Sequence, residues 1–311
     1  MRHMLVPACC MVVFSPVPPL QSWPFHPVAP NSGAGQVYGS ELVQGRKTMR
    51  LAMLAGCLFA LMVTTQAGWS QKPAPVELFN GQNLANWYPY LKGKGKGVDP
   101  RQVFSVKEGL LRISGEEWGA LTTEKEYENY RLTMEYGWGG KVWPPREKSA
   151  RDSGLVLHCT GKDGAHGDSW MLGLQVNMIE GGTGDLSILG KSPDHTFQST
   201  CEERPASGKK GWYHKTGAPS RAFGPGDRLL WGDKDPAWTN TLGFMGAKDI
   251  EKPAGQFNTL VAECGKDTLT VTLNGKLMTR ATGLKVARGK IQFQSEGAEL
   301  LIRRMTLEPL K

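Results

Sequence analysis

The residues of this 311-residue chain best suited to chemistry fall into one alternating pattern. Leu155 and Leu157 alternate with His158 at their end. Leu172, Leu174 and Val176 alternate with Gln175 and Asn177. Ile291 and Phe293 alternate with Gln292 and Gln294. Successive side chains of a strand point to opposite faces. If these strands share a sheet, His158, Gln175, Asn177, Gln292 and Gln294 line one face. Amides and imidazole both donate and accept hydrogen bonds, as sugar hydroxyls require. The outer face of a sandwich is polar by default, but such a face usually carries Lys, Glu and Thr. An amide-rich, charge-poor face points to a ligand.

Other candidates flank this pattern. Glu180 opens Gly181-Gly182-Thr183-Gly184-Asp185, and carboxylates around a Gly-rich turn can hold a divalent metal ion through Glu180, Asp185 and backbone carbonyls. The same five residues also read as a plain turn that needs positive φ. Arg151 and Asp152 could clamp a substrate or form a surface ion pair of little energetic value. Of ten tryptophans, Trp138 and Trp170 are the candidate platforms for a sugar ring, and Trp212, Trp231 and Trp238 could cap a site. No GxSxG supports a serine nucleophile. Cys159, Cys201 and Cys264 are too few and too widely spaced for a metal knuckle or a disulfide scaffold, and burial is expected for Cys159 and Cys264.

The elements that must position these residues are strands. Short alternating runs recur around Phe104–Val106, Leu110–Ile113, Tyr130–Tyr136, Gly154–His158, Leu172–Ile179, Thr268–Leu273, Ile291–Gln294 and Glu299–Leu307, and Asn274-Gly275 supplies a type I′ hairpin turn. No helical period exceeds two turns, and Gly (39) and Pro (20) favour turns. The fold class is all-β, a sandwich. Residues 192–251 lack a clean period and read as a long excursion with a few short strands folded over one face.

Residues 49–70 (MRLAMLAGCLFALMVTTQAGWS) have the charged, apolar and small-residue order of a signal peptide. Export to the periplasm or the extracellular space follows, with no stable membrane span after cleavage. Residues 1–48 read as an incorrectly assigned start, or as a disordered segment. The net charge of +8 is scattered rather than clustered, so nucleic acid is not an expected partner.

Seven segments taken in order resemble one family. These are Leu78-Phe79-Asn80-Gly81 through Trp87; Phe104–Ser114 with Gly119, Leu121 and Thr123; Asp152-Ser153-Gly154-Leu155; Trp170–Leu186; Phe257-Asn258; Leu273-Asn274-Gly275; and Gly289–Gly297, while Ile302-Arg303-Arg304-Met305 replaces the family's usual motif in the last strand. Together residues 76–311 resemble the 3-keto-disaccharide hydrolase family, also described as 3-keto-glucoside lyases and hydratases. The resemblance implies a concanavalin A-like jelly-roll sandwich and chemistry on 3-keto sugars by elimination. Elimination needs a base near the proton α to the ketone, an acid near the leaving oxygen and a group to hold the enolate. His158 and Glu180 are the candidate base and acid, and a metal at Glu180 and Asp185 could hold the enolate. His158 could equally be a satisfied sheet histidine. The chain departs from the family at Gln175, where many members carry Glu, and at Ser295, where the family has His.

Three functions are compatible with these features: an exported enzyme acting on oxidised glucosides, a carbohydrate-binding module without catalysis, or a structural protein of the cell envelope. The oligomeric state is not readable from the sequence.

Overall fold

The computed structural model describes residues 74–310. The expected signal peptide and the segment before it lie outside the described residues. In chain order the strands are β1 (Val76–Phe79), β2 (Trp87–Leu91), β3 (Gly95–Lys96), β4 (Phe104–Lys107), β5 (Leu110–Ile113), β6 (Gly119–Thr123) and β7 (Tyr127–Glu128). They continue as β8 (Tyr130–Val142), β9 (Asp152–Thr160), β10 (Leu172–Ile179), β11 (Leu186–Leu189), β12 (Phe197–Ala206), β13 (Lys209–His214) and β14 (Ser220–Phe223). The last are β15 (Arg228–Leu230), β16 (Asn258–Cys264), β17 (Leu269–Leu273), β18 (Lys276–Ala281), β19 (Arg288–Ser295) and β20 (Ala298–Pro309). No helix occurs among the described residues, so none is long and apolar enough to cross a membrane.

The strands form two sheets, giving the all-β sandwich expected from the alternation. The first has the order β18-β17-β16-β8-β20-β5-β4, with β1 also on β20. The second has the order β14-β12-β13-β15-β11-β10-β9-β19-β6-β2-β3, with β7 also on β19. Side chains from both inner faces make one core, including Leu132, Met134, Val271 and Ile302 from the first sheet and Leu155, Leu174, Val176 and Phe293 from the second.

Local chemistry sets the joints. Asn274 and Gly275 both have positive φ, 48° and 82°, and Leu273 pairs with Lys276 across them. This is the two-residue turn whose twist matches its strands. Strands β16 and β17 alternate buried and half-exposed residues, whereas β9, β10 and β19 are buried almost throughout. A strand buried on both faces is covered on both, so something overlies the outer face of the second sheet.

The excursion at 192–251 does not fold over a face. Its strands β12 to β15 extend the second sheet beyond β11, with β15 pairing to β11. The chain after β15 is tied to neighbouring segments: Leu242 N–H bonds Lys148 O at 3.0 Å, and Trp238 Nε1–H bonds Glu180 O at 2.8 Å. All three described cysteines are free and buried.

Candidate functional site

Register places a polar row across the outer face of the second sheet. Arg228 pairs with Ser187, Ser187 with Gln175, Gln175 with Val156, Val156 with Gln292, Gln292 with Thr122, and Thr122 with Tyr88. Directly opposed residues share a face. Asn177, opposite Gly154, and Gln294, opposite Ala120, lie on the neighbouring row. The structure therefore brings Gln175, Asn177, Gln292 and Gln294 together.

The amides are locked to one another. Gln175 Nε2 donates to Gln294 Oε1 at 2.8 Å, and Gln175 Oε1 accepts from Ser187 Oγ at 3.1 Å. Gln292 Nε2 donates to Thr122 Oγ1 at 2.8 Å, and its Oε1 accepts from Met171 N–H at 3.1 Å. Gly154 leaves the room this needs. A Cβ there would stand 2.1 Å from Gln294 Oε1 and 2.6 Å from Gln175 Nε2.

One end of this face is acidic. Arg146 Nη2 donates to Asp152 Oδ2 at 2.7 Å and to Glu296 Oε1 at 2.5 Å, so these two carboxyl oxygens lie within about 5 Å of each other. All three side chains are nearly buried. Burial, and then the neighbouring Glu296, push the Asp152 carboxyl up to about 8, against the pull of Arg146 and Arg228. Burial likewise raises Glu296. Two carboxyls this close resist ionising together, so the pair retains a proton near neutral pH. Asp152 Oδ1 has no hydrogen-bond partner among the described residues.

Several sequence expectations are corrected. His158 is not on the polar face. Leu174 pairs with Leu157 but Leu172 pairs with Thr160, and on the other side Gln292 pairs with Val156 but Lys290 with Cys159. Strand β9 thus carries one extra residue, a β-bulge, with His158 at φ 52°. The bulge resets the alternation and turns the imidazole inward. It packs edge-on against Tyr130 of the first sheet, ring centroids 6.0 Å apart, with Nδ1 3.1 Å from Val286 O. Burial lowers its pKa to about 4, and it is a neutral core histidine.

Glu180 is not its partner. Ile179 pairs with Asp152, at the opposite end of β9 from His158, and six residues of strand span roughly 20 Å. Glu180 bonds the Arg151 side chain, Arg151 N–H at 3.0 Å and Gly243 N–H at 3.0 Å, anchoring the excursion. Arg151 is thereby turned to Glu180 rather than to the polar face. Asp185 bonds Lys234 Nζ at 2.5 Å and Trp231 N–H at 2.9 Å. With both carboxylates taken by protein donors, Glu180 and Asp185 do not fit a divalent cation. No group of three His, Cys, Asp or Glu among the described residues does so either. The Gly181–Asp185 segment is a turn, with φ of 72° at Gly181 and 102° at Gly184.

Trp138 is no platform. It is buried in the core, and its Nε1–H bonds Glu251 at 2.9 Å. Trp170 does lie against the outer face, but as a lid: its Nε1–H bonds Gly119 O at 3.0 Å, and it packs with Ala120, Val156 and Met171. Trp231 is also core.

Sequence reasoning missed Arg146 and Glu296 as site residues. Glu296 continues the Gln292, Gln294 alternation by one step, a signal that was present. Arg146 sits in the β8–β9 connection, where no periodicity points to it.

No functionally curated protein matches the sequence. Among solved structures, a candidate glycosyl hydrolase from Parabacteroides distasonis is 18% identical with a TM-score of 0.43, covering 76% of this chain and 100% of its own. A β-glucanase from Bacillus licheniformis is 11% identical with a TM-score of 0.38, covering 76% and 99%. A carbohydrate-binding module from Bacillus subtilis is 10% identical with a TM-score of 0.37, covering 72% and 95%. These likenesses are distant, whereas the family match is direct and spans nearly all the described residues. Residues 74–308 match the 3-keto-alpha-glucoside-1,2-lyase-like domain, and the chain belongs to that family.

Proposed function

We propose that this protein is an exported enzyme that cleaves 3-keto-glucosides by elimination, using Asp152 and Glu296 as its proton-transfer pair. One observation carries this: two nearly buried carboxyls, Asp152 and Glu296, share Arg146 at the end of the amide row, and burial raises both above the usual carboxylate range. The ionised carboxylate takes the proton from C2, which the C3 ketone acidifies. The C2–H electron pair forms the C1=C2 bond, and the C1–O bond breaks toward the leaving oxygen. The protonated carboxyl supplies that oxygen's proton. Arg146 and Arg228 provide positive charge for the enolate oxygen. No oxidant is consumed. The signal-peptide order of residues 49–70 supports export to the periplasm or beyond.

A carbohydrate-binding module is the second reading. It is favoured by Gln175, an amide bonded to Gln294 where many relatives carry a carboxylate. Incubation of the purified protein with a 3-keto-α-glucoside separates the two. Aglycone release that falls at least about a hundredfold in Asp152→Asn and Glu296→Gln supports the enzyme. Retained sugar binding without release supports the module.

A further inference from the structure

We infer that Trp118 forms a second sugar subsite, a platform for the leaving group of a disaccharide substrate. This rests on the proposed function above, because it places the platform beside the proton-transfer pair.

Ser295 pairs with Gly119 at the end of β19 and β6. Glu296 and Trp118 are the next residues on the two chains. The loop before β6 is fixed to the acidic end: Ser295 Oγ donates to Glu117 O at 2.6 Å, and Gly297 N–H to Gly115 O at 3.0 Å. Lys92 N–H bonds Trp118 O at 2.9 Å. A recess of about 500 Å³ opens there, lined by Lys92, Glu116, Glu117 and Trp118. It is shallow and open to solvent, a surface groove rather than an enclosed cavity.

The lining suits a pyranose. Trp118 is only partly buried and rests on Trp170, ring centroids 5.6 Å apart. Trp170 is itself pinned through Gly119 O. The outer indole is thus held rigidly, and an aromatic face packs on sugar C–H groups at little entropic cost. Around it, Glu116 and Glu117 can accept and Lys92, whose Nζ also donates to Gly167 O at 3.3 Å, has further protons to donate, the mixture that ring hydroxyls require. An uncharged sugar fits better than an ionic ligand, because the glutamates already pair with Lys94 and Arg101.

The test compares two substrates that differ only in leaving group: a 3-keto disaccharide of two glucose units and methyl 3-keto-α-glucoside. Trp118→Ala should lower kcat/KM for the disaccharide about tenfold or more, and for the methyl glycoside less than about twofold. Trp118→Phe retains an aromatic against Trp170 and should stay within about threefold of wild type on both. Lys92→Ala, at an exposed position, should weaken the disaccharide alone. Equal losses on both substrates, or no loss on the disaccharide, would overturn the subsite. If wild type cleaves neither substrate, the enzymatic reading fails, and the recess is tested by itself through maltose titration. Affinity at least about fivefold weaker in Trp118→Ala supports the subsite, and equal affinity or no binding contradicts it.

Discussion

The two sheets turn opposite kinds of polar surface away from their shared core. On the first sheet, Arg131 pairs with Glu263 and Arg303 with Glu135, and the side chains of the Arg131–Glu263 pair are 46% and 39% exposed. On the second, Arg146 joins Asp152 and Glu296, with every side chain at 12–13%. Water screens the first set, and such pairs are worth about 0–1 kcal/mol. The second set is desolvated, so each group depends on its neighbours, and losing one partner is costly. Alternation in a strand cannot distinguish the two faces. What distinguishes them is what lies above: Trp170, Met171 and the Arg146 segment cover the second sheet, while water covers the first.

The contrast can be broken by substitution. The largest effect is expected from Asp152→Asn and Glu296→Gln, each lowering aglycone release at least about a hundredfold while the fold persists by circular dichroism. Arg146→Ala comes next. It leaves the carboxyl pair uncompensated and should cost about 3 kcal/mol in urea unfolding. Gly154→Ala should cost about 1–3 kcal/mol, because its methyl would stand 2.1 Å from Gln294 Oε1. It should also weaken sugar binding by displacing the amide pair, which calorimetry reads.

The pH dependence of stability sharpens the same comparison. The folded state keeps Asp152 protonated up to about 8, whereas the unfolded carboxyl ionises near 3.8. The folded state therefore holds the extra proton, and stability falls as pH rises through that window. His158 acts at the acid side: the unfolded ring takes its proton near 6.5, the folded one only near 4, so stability falls as pH drops between these values. His195 and His214, also lowered by burial, add to that loss. Thermal melts across pH should show Asp152→Asn removing part of the alkaline loss and His158→Leu part of the acid loss. The smallest effect belongs to the exposed face. Arg131→Ala should change stability by no more than about 1 kcal/mol and leave activity at wild type.

The strands were legible because period-2 burial is written directly into residue type. Leu174 and Val176 against Gln175 and Asn177 gave both the core and the polar face. His158 was misplaced because a bulge adds a residue without changing composition, and only pairing on both sides of β9 reveals it. Glu180 and Asp185 looked like a metal site because sequence does not show that Arg151, Lys234 and three backbone N–H groups already occupy them. Arg146 and Glu296 meet across 150 positions of chain, a contact set by topology rather than by any local pattern.

The most direct test is release of the leaving group from a 3-keto-α-glucoside by wild type, Asp152→Asn and Glu296→Gln, followed across pH. Release by wild type that declines above about pH 8, as the retained proton is lost, and its near abolition in both variants is the expected result. Variants as active as wild type would show that the Arg146-bridged pair does no proton transfer, and would contradict the account.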